Sequence, residues 1–297
     1  ESFTRQEIEE LFFATRSKAT AQTRKPWLVK QVLLDSDTLW EEAKTIGILD
    51  TTSTSSNQIE FDERNSEGHL RLARKLSRLW EPDRMVENIL LPLLRDKMQD
   101  FVTTASTSRQ FTVWDLGSGA GRDVSFLAEE LKSLLKLTKK KQSSAKNIKL
   151  MVVGIDNHKG SARRCIPLWK NRFVDDVTYS RLQNLNTISI LKEHLQLEKK
   201  GLVCLYAIRF LNRKMVEYVA NDTEFLQTGC LFAMSHFCKE KDGEWKWDHP
   251  KPSSVLDRDE LSDLFVKTGH WRVLHNALCS DGDHGRNLLQ FVAERCN

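Results

Sequence analysis

The chain has 297 residues, of which 40% are hydrophobic and 29% are charged, the composition of an ordinary globular protein. Lysine and arginine (45) exceed aspartate and glutamate (41) by only four, which excludes a strongly basic protein dedicated to nucleic-acid binding. No apolar run approaches the roughly 18 residues that a membrane span needs, so the sequence predicts no membrane association.

Six cysteines are scattered along the chain, and no two of them form the Cys-x-x-Cys pair that is typical of zinc sites. The sequence therefore predicts no metal centre. Most of the cysteines lie in apolar runs, where free buried thiols are common, and this favours an intracellular location, the cytoplasm with the nucleus as alternative. The chain begins at Glu1 instead of methionine, which we interpret as processing or truncation.

Residues 1–65 are predicted to form a helical N-terminal extension that ends in a linker. Two amphipathic segments, near Ile8–Phe12 and from Trp27 to Ala43, precede the polar run 50–57, which has almost nothing to bury. The main domain is expected to span residues 66–297. Its first helix is predicted to begin at Pro82, because proline is favoured at the first helical position.

From Phe111 onward, short apolar runs alternate with helical segments, which predicts a parallel sheet covered on both faces. The predicted strands are Phe111–Leu116, Lys149–Ile155, Val177–Leu182, Leu202–Ile208, Cys230–Phe237, Trp271–Leu278 and Leu288–Glu294. The predicted helices are Val124–Leu137, Ser161–Phe173, a segment from Lys214 through Val219, and Arg258–Lys267. No helix separates the last two strands, so they should form an antiparallel hairpin. The predicted fold is α/β, a Rossmann-like, doubly wound, mostly parallel seven-stranded sheet.

A glycine loop follows the first predicted strand. Its glycines are Gly117, Gly119 and Gly121, so the loop has a GxGxG pattern. A dinucleotide-binding loop would have a third glycine where Arg122 stands, and a Walker loop would continue with Gly-Lys-Ser/Thr. Glycines allow a ligand close to the backbone, and the following helix presents unpaired N–H groups toward it.

An acidic residue near the end of the first strand followed by GxGxG resembles motif I of the class I S-adenosylmethionine-dependent methyltransferases. In that family the loop lies against the methionine part of the cofactor, and an acidic residue after the second strand holds the ribose hydroxyls. Asp156 matches that second position. The resemblance implies S-adenosylmethionine as cofactor, with the adenine near the end of the third strand. The implied cofactor-binding residues are Asp115, Gly117, Ser118, Gly119, Gly121, Asp156, Gln183 or Asn184, and Ile208.

Longer segments resemble the tellurite-resistance-type (TehB-like) branch of this family. Gly119–Ala128 is similar to that branch's GxGRDxxFLA form of motif I. Arg209–Arg213 is similar to its RFLHR segment, with Asn212 in place of the histidine, and residues 249–252 are similar to its proline-containing loop. The similarity covers about residues 75–297. It does not reach the N-terminal extension.

Three residues after the fourth and fifth predicted strands are candidates for substrate binding: Arg209, Arg213 and His236. Class I enzymes begin to build the substrate side at these positions. The two arginines could hold an anionic substrate or the cofactor carboxylate through paired donors, or could form surface ion pairs. His236 could equally be a packed core residue. No catalytic residue is assigned.

Three further features have two interpretations each. Asp115 could contact the cofactor or accept N–H groups of the loop, and Asp156 could hold the ribose or cap the following helix. The lysine-rich stretch Lys132–Lys149 could be a solvated insertion or a phosphate-binding patch. No aromatic residues alternate with its lysines, which argues against stacking on nucleic-acid bases.

The predicted function is methyl transfer to a small nucleophilic acceptor, such as a thiol or a chalcogen oxyanion. The sequence contains no Asp/Asn-Pro-Pro-aromatic segment, the motif that would indicate amino methylation of bases or of protein glutamine. An RNA or protein methyltransferase that uses the N-terminal extension and the lysine-rich stretch is one alternative. A non-catalytic binding subunit with the same fold is another. The sequence leaves the oligomeric state open.

Overall fold

The computed structural model describes eleven stretches of the chain: residues 82–104, 109–119, 121–141, 148–159, 165, 169, 174–185, 187–198, 201–240, 245–280 and 285–296. The predicted N-terminal extension lies outside these residues. So does most of the predicted helix Ser161–Phe173, of which Cys165 and Trp169 are described and are helical.

Within the described residues, seven strands form one sheet. They are β1 (Arg109–Leu116), β2 (Ile148–Asp156), β3 (Thr178–Leu182), β4 (Leu202–Ile208), β5 (Leu231–Phe237), β6 (Trp271–Ser280) and β7 (Asn287–Arg295). The strand order is β3-β2-β1-β4-β5-β7-β6. Strands β1 to β5 run parallel, and β7 pairs antiparallel with both β5 and β6. The predicted mostly parallel sheet with an antiparallel C-terminal hairpin is therefore confirmed.

Five described helices cover the two faces of the sheet. They are α1 (Leu91–Thr104), which follows a π-helical turn at Val86–Leu90, α2 (Arg122–Lys141), α3 (Ile188–Glu198), α4 (Arg213–Asn221) and α5 (Glu260–Lys267). Apolar side chains of α1 and α2 form one core cluster with the sheet, and those of α3, α4 and α5 form a second cluster on the other face. No helix among the described residues is long and apolar enough to cross a membrane.

The central strands are nearly continuous apolar runs because both of their faces are covered. In β1, Val113 and Trp114 are both fully buried, yet Val113 belongs to the cluster under α1 and α2 and Trp114 to the opposite one. Successive side chains of a strand point to opposite faces, which explains this division. Because both faces of such a strand are buried, residues that bind a ligand have to lie at the strand ends and in the loops that follow them.

Two features of the helices differ from the sequence predictions. The helix α3 was not predicted, although Leu191 and Leu195 are buried at helical spacing. The helix α2 continues beyond the predicted end at Leu137 to Lys141, so the first lysines of the lysine-rich stretch lie on a helix and not in an insertion. Lysine has a favourable helix propensity, and residues 138–140 are not buried, so this part of the helix needs no apolar residues to form.

The chain order reverses beside β1. From β1 the chain continues to β2 and β3 on one side, and it then returns to β4 on the other side of β1. Ligands of open α/β sheets bind outside the carboxyl ends of the strands at such a switch point. The glycine loop, Asp156 and Arg209 all follow strands at this edge.

Candidate active site

The glycine loop after β1 is held in a conformation that favours glycine. Gly117, Gly119 and Gly121 have φ angles of +81°, +53° and +72°. The N–H groups of Gly117 and Ser118 both donate to the carbonyl of Ile155 in β2, at 2.8 and 3.1 Å. The loop is therefore attached to the neighbouring strand, and the N–H of Ser118 is already used inside the protein.

The three loop glycines meet different surroundings. A Cβ atom on Gly117 would lie 2.4 Å from Cγ of Phe210, and one on Gly121 would lie 2.7 Å from Sγ of Cys165. A Cβ on Gly119 would have no heavy atom of the described residues within 4 Å, its two chain neighbours aside. Gly117 and Gly121 are therefore required for packing within the protein, whereas Gly119 leaves backbone open to a ligand.

The Asp156 carboxylate connects the glycine loop to the end of β2. Oδ2 accepts the Gly119 N–H at 2.9 Å, and Oδ1 accepts the His158 N–H at 2.8 Å. The side chain is partly exposed. A carboxylate accepts about four hydrogen bonds, so each oxygen keeps capacity for a further donor such as a ribose hydroxyl. Capping of the backbone and ligand binding are compatible at this residue.

The end of β3 lies beside Asp156. The backbone N–H of Gln183 donates to the Asp156 carbonyl at 2.8 Å, and Asn184 is exposed. Leu182 pairs with Asp156 in the sheet register and is 48% exposed. The residues predicted for the adenine side, Gln183 or Asn184, are polar, and Leu182 is an apolar candidate beside them that the sequence analysis did not single out. Side chains alternate between the two faces of a strand, and Leu182 lies two residues after the exposed Ser180. This alternation along β3 was the signal that the Leu182 side chain is exposed.

The last residue of β4 contributes packing to this edge. Ile208 pairs with Ser235 in the sheet register and is partly buried against the core cluster under α1 and α2. The hydroxyl of Ser235 is fully buried and has no hydrogen-bond partner among the described residues. The predicted contact of Ile208 with the cofactor stays a prediction.

A buried acid lies beneath the glycine loop. Asp115 is 2% exposed, and its Oδ1 has no hydrogen-bond partner among the described residues. Burial, followed by repulsion from Asp123, raises the pKa of Asp115 well above its usual range. Tyr206 lies opposite Asp115 in the sheet, and burial, reinforced by Asp115, raises the pKa of its phenol well above 10. Burial thus favours the neutral form of both groups.

Carboxyl groups also connect the starts of the two helices above the loop. Oδ1 of Asp123 accepts the Asp83 N–H at 2.7 Å, and Asp123 pairs with Arg122 at 3.1 Å. Asp83 in turn accepts the Met85 N–H at 3.0 Å. Burial raises the pKa of Asp83, and the charge of Asp123 adds to this shift. The start of α2 therefore carries an Arg122–Asp123 ion pair, with Asp83 bonded to it through its backbone.

Arg209 directly follows β4 in a left-handed conformation, with φ of 54°. Such a conformation is uncommon for a residue other than glycine, and it is concentrated at functional sites. The Arg209 N–H donates to the Ser235 carbonyl at 2.7 Å, which holds the backbone in place. The next residue, Phe210, packs on Gly117. The predicted substrate-binding residue Arg209 thus lies beside the glycine loop.

Arg213, the second predicted substrate-binding arginine, is occupied in structural bonds. Its guanidinium forms a two-bond ion pair with Glu260 of α5, at 2.6 and 2.9 Å. It also donates to the carbonyls of Ser253 and Val255, both at 2.7 Å. Four of its five donors are used in these bonds, so we leave Arg213 out of the candidate substrate site.

Asn212, which replaces the histidine of the TehB-like segment, caps helix α4. Its Oδ1 accepts the Met215 N–H at 3.2 Å, and its Nδ2 donates to the Leu185 carbonyl at 3.0 Å. Asparagine is among the preferred residues at a helix N-cap. The residue therefore links the start of α4 to the loop after β3.

His236, at the end of β5, is 4% exposed. Its Nε2–H donates to the Ser254 carbonyl at 2.8 Å, which leaves the lone pair of the neutral ring on Nδ1. Nδ1 is buried without a hydrogen-bond partner among the described residues. Burial lowers the pKa of His236 below its usual 6.5. The ring is therefore a neutral imidazole with a defined tautomer.

Acidification is expected to destabilise the wild-type protein more than the His236→Gln variant. The unfolded chain protonates His236 near the ordinary histidine pKa of 6.5, whereas the folded chain resists protonation to a lower pH because burial lowers the pKa of this ring. Because the unfolded state binds more protons, this contribution is complete above pH 6.5 and is lost as the pH falls toward the folded pKa. Urea unfolding of both proteins near neutral pH, and again one to two pH units lower, measures the loss in the free energy of unfolding of each protein. Equal losses in the two proteins would contradict this assignment.

The glycine loop after β1, the reversal of strand order beside it and the terminal hairpin define a Rossmann-like fold of the methyltransferase type. No protein-family model and no curated protein sequence matches the chain. Among solved structures, TehB from Haemophilus influenzae is similar at 14% identity, over 67% of this chain and 62% of that chain, with a TM-score of 0.42.

Two other solved structures are similar to this chain. A SAM-dependent methyltransferase from Aquifex aeolicus has 13% identity over 79% of this chain and 100% of that chain, with a TM-score of 0.40. The (4+2)-cyclase SpnF has 10% identity over 68% of this chain and 80% of that chain, with a TM-score of 0.44. Such similarities describe folds, so the chemistry of this chain has to be argued from its own site.

Proposed function

We propose that this chain is an S-adenosylmethionine-dependent methyltransferase, with residues 66–297 as its catalytic domain and a small nucleophile as methyl acceptor. A thiol or a chalcogen oxyanion is the acceptor that we favour. The observation that supports this function best is the hydrogen bond from the Gly119 N–H to Asp156, at 2.9 Å. It places an open stretch of glycine backbone directly beside a partly exposed carboxylate.

The residues at this edge of the sheet fit the parts of the cofactor. The open side of Gly119 suits the methionine part, and the remaining lone pairs of Asp156 suit the ribose hydroxyls. The exposed Leu182 offers an apolar surface for adenine, and Gln183 or Asn184 offers hydrogen bonds to its edge. When bound, S-adenosylmethionine supplies an electrophilic methyl group on a positively charged sulfur.

The start of α2 differs from the helix start of a dinucleotide-binding site. A dinucleotide places its pyrophosphate at the N-terminus of this helix, where the helix dipole attracts anions. Here the first turn of α2 contains Asp123, and the Asp83 backbone is bonded to that carboxyl. Asp115 is buried beneath the same loop. Arg122, the first residue of α2, pairs with Asp123, so the side chains of this helix start form an ion pair within the protein.

The acceptor side of the proposed site lies at the ends of β4 and β5. Arg209 follows β4 next to the glycine loop, and His236 ends β5 with a neutral ring. We propose that these groups position the acceptor, while the surrounding core excludes water. Orientation of two reactants in a dry site is the main contribution that a protein makes to this type of displacement.

The lysines of α2 lie too far from this site to serve a small acceptor. The helix has 20 residues and begins at the glycine loop, so its lysine-rich end lies about 30 Å away. Lys132 on this helix already pairs with Asp176, at 2.5 Å. No observation on the described residues favours an RNA or protein substrate. The free, mostly buried cysteines fit the cytoplasmic location that we propose.

Calorimetric titration of the full chain tests the proposed cofactor. S-adenosylmethionine and S-adenosylhomocysteine are expected to bind with micromolar Kd values, and NAD is expected not to bind. A chain that binds NAD instead, or none of the three compounds, would contradict the proposal. Release of S-adenosylhomocysteine in the presence of a panel of thiols and selenium or tellurium oxyanions then tests the acceptor class.

A further inference from the structure

Two carbonyl groups of the glycine loop accept hydrogen bonds from side chains of the segment between β2 and β3. The thiol of Cys165 donates to the Gly119 carbonyl, with 3.6 Å between sulfur and oxygen, and the indole Nε1–H of Trp169 donates to the Gly121 carbonyl at 3.2 Å. Cys165 and Trp169 are both helical, and residues four positions apart lie on the same face of a helix. One buried helix face therefore holds two peptide groups of the loop.

The same two side chains fill the space beside Gly121. A Cβ atom on Gly121 would lie 2.7 Å from Sγ of Cys165 and 3.0 Å from Nε1 of Trp169. The Gly121 carbonyl also accepts the Ser125 N–H of α2, at 2.9 Å. A carbonyl oxygen has two lone pairs, and here both of them are used. The last glycine of the loop is therefore fixed between the start of α2 and the Trp169 ring.

The hydrogen bonds of Gly119 determine how a ligand can meet this residue. Its N–H donates to Asp156 at 2.9 Å, and its carbonyl accepts the Cys165 thiol. Both polar groups are engaged, so a ligand meets Gly119 mainly at its Cα, where a Cβ would have no heavy atom of the described residues within 4 Å, the chain neighbours aside. The position of this surface depends on Asp156 on one side and on Cys165 on the other.

We infer that Trp169 and Cys165 are positioning residues for cofactor binding, which hold the carbonyls of Gly121 and Gly119 and keep the glycine loop in its binding conformation before the cofactor arrives. The inference rests on the proposed function for the identity of the cofactor. Glycine has more conformational freedom to lose than any other residue, so a glycine loop that is ordered only during binding costs affinity. A loop that other side chains already hold avoids this cost.

The chain offers a matched control for each of the two residues. Trp169→Phe removes the N–H donor and keeps an aromatic ring. Its control is Trp271→Phe, because the indole of Trp271 also donates to a backbone carbonyl, that of Ala220 at 3.0 Å, in the core cluster on the opposite face of the sheet. The control for Cys165→Ala is Cys230→Ala, since the buried Cys230 thiol lies 3.8 Å from a backbone carbonyl at the start of β5. Cys165→Ser keeps a hydrogen-bond donor and serves as the conservative variant.

Calorimetric titration of the full chain with S-adenosylmethionine measures the effect of each variant. We expect a Kd about five- to tenfold weaker for Trp169→Phe and about threefold weaker for Cys165→Ala, because a thiol is the weaker donor. Cys165→Ser and both controls should keep the wild-type Kd. Thermal unfolding of every variant confirms that the fold is retained, and Cys165→Ala decides the result if Trp169→Phe does not fold. Wild-type affinity in the two site variants, or an equal loss in their controls, would overturn the inference.

Amide hydrogen exchange of the free proteins tests the loop without any cofactor. Peptides that cover residues 117–125 are expected to exchange faster in Trp169→Phe than in Trp271→Phe, because only the first variant removes a bond to the Gly121 carbonyl. Equal exchange in these two variants would also overturn the inference. Faster exchange in Trp169→Phe, together with no binding of S-adenosylmethionine by the wild type, would overturn only the methyltransferase proposal.

Discussion

The Gly117→Ala variant is expected to be strongly destabilised, whereas Gly119→Ala is expected to fold and to lose cofactor affinity. At Gly117 a Cβ would lie 2.4 Å from Phe210, so the substitution combines overpacking with a left-handed backbone. Overpacking costs about 1–3 kcal/mol and the conformation about 1–2 kcal/mol. Together these are a large fraction of the roughly 5–15 kcal/mol that stabilises a domain. Urea unfolding measures the loss.

Gly119→Ala introduces the strained conformation without overpacking against the part of the chain that the structure describes, where no atom beyond the chain neighbours lies within 4 Å of the new Cβ. The methyl group instead fills the space where we place the methionine part of the cofactor. We expect a Kd for S-adenosylmethionine at least tenfold weaker than that of the wild type. Gly269→Ala is the matched control, since Gly269 also has a positive φ (71°) and open surroundings. A Gly119→Ala protein with wild-type affinity would exclude this location for the cofactor.

Replacement of Asp156 by alanine is expected to weaken S-adenosylmethionine binding about 100-fold or more. The substitution removes the acceptors of two backbone N–H groups, those of Gly119 and His158, and with them the proposed ribose contact. Hydrogen bonds to a charged group contribute about 1.5–3 kcal/mol each. Asp156→Asn keeps one oxygen acceptor and should lose less affinity. Calorimetric titration measures both variants.

Asp175→Ala serves as the control for Asp156→Ala. Asp175 is exposed in the turn before β3, at the opposite edge of the sheet from the glycine loop. Its removal should leave the Kd for S-adenosylmethionine unchanged. If Asp156→Ala binds the cofactor as tightly as this control does, the carboxylate has a purely structural role in the loop.

The strands and the glycine loop could be predicted because their signals are local. The bounds of β4 match the prediction at both ends, since an apolar run lies between Gly201 and Arg209. The hairpin of β6 and β7 followed from the absence of a helix between two apolar segments. The loop directly follows β1 and Asp156 is the last residue of β2, and parallel strands bring both to the same edge of the sheet.

Contacts that depend on partners distant in the sequence were not predicted. The sequence analysis gave Arg209 and Arg213 the same candidate role. In the structure, Arg213 is bonded to Glu260. Arg209 is followed by Phe210, which packs on Gly117. Arg286 was not singled out in the sequence, because it lies in a polar turn. The orientation of a long side chain depends on the charges and carbonyls around it, and those come from other elements.

The sequence by itself determined the order of the elements, the antiparallel end of the sheet and the site of the glycine loop, because hydrophobic periodicity and glycine spacing act over a few residues. Only the tertiary structure decided the pairing of buried Asp115 with Tyr206, the exposure of Leu182 beside Asp156 and the meeting of Arg209 with Arg286 at Phe237. These contacts depend on strand order and register, which bring together residues far apart in the chain.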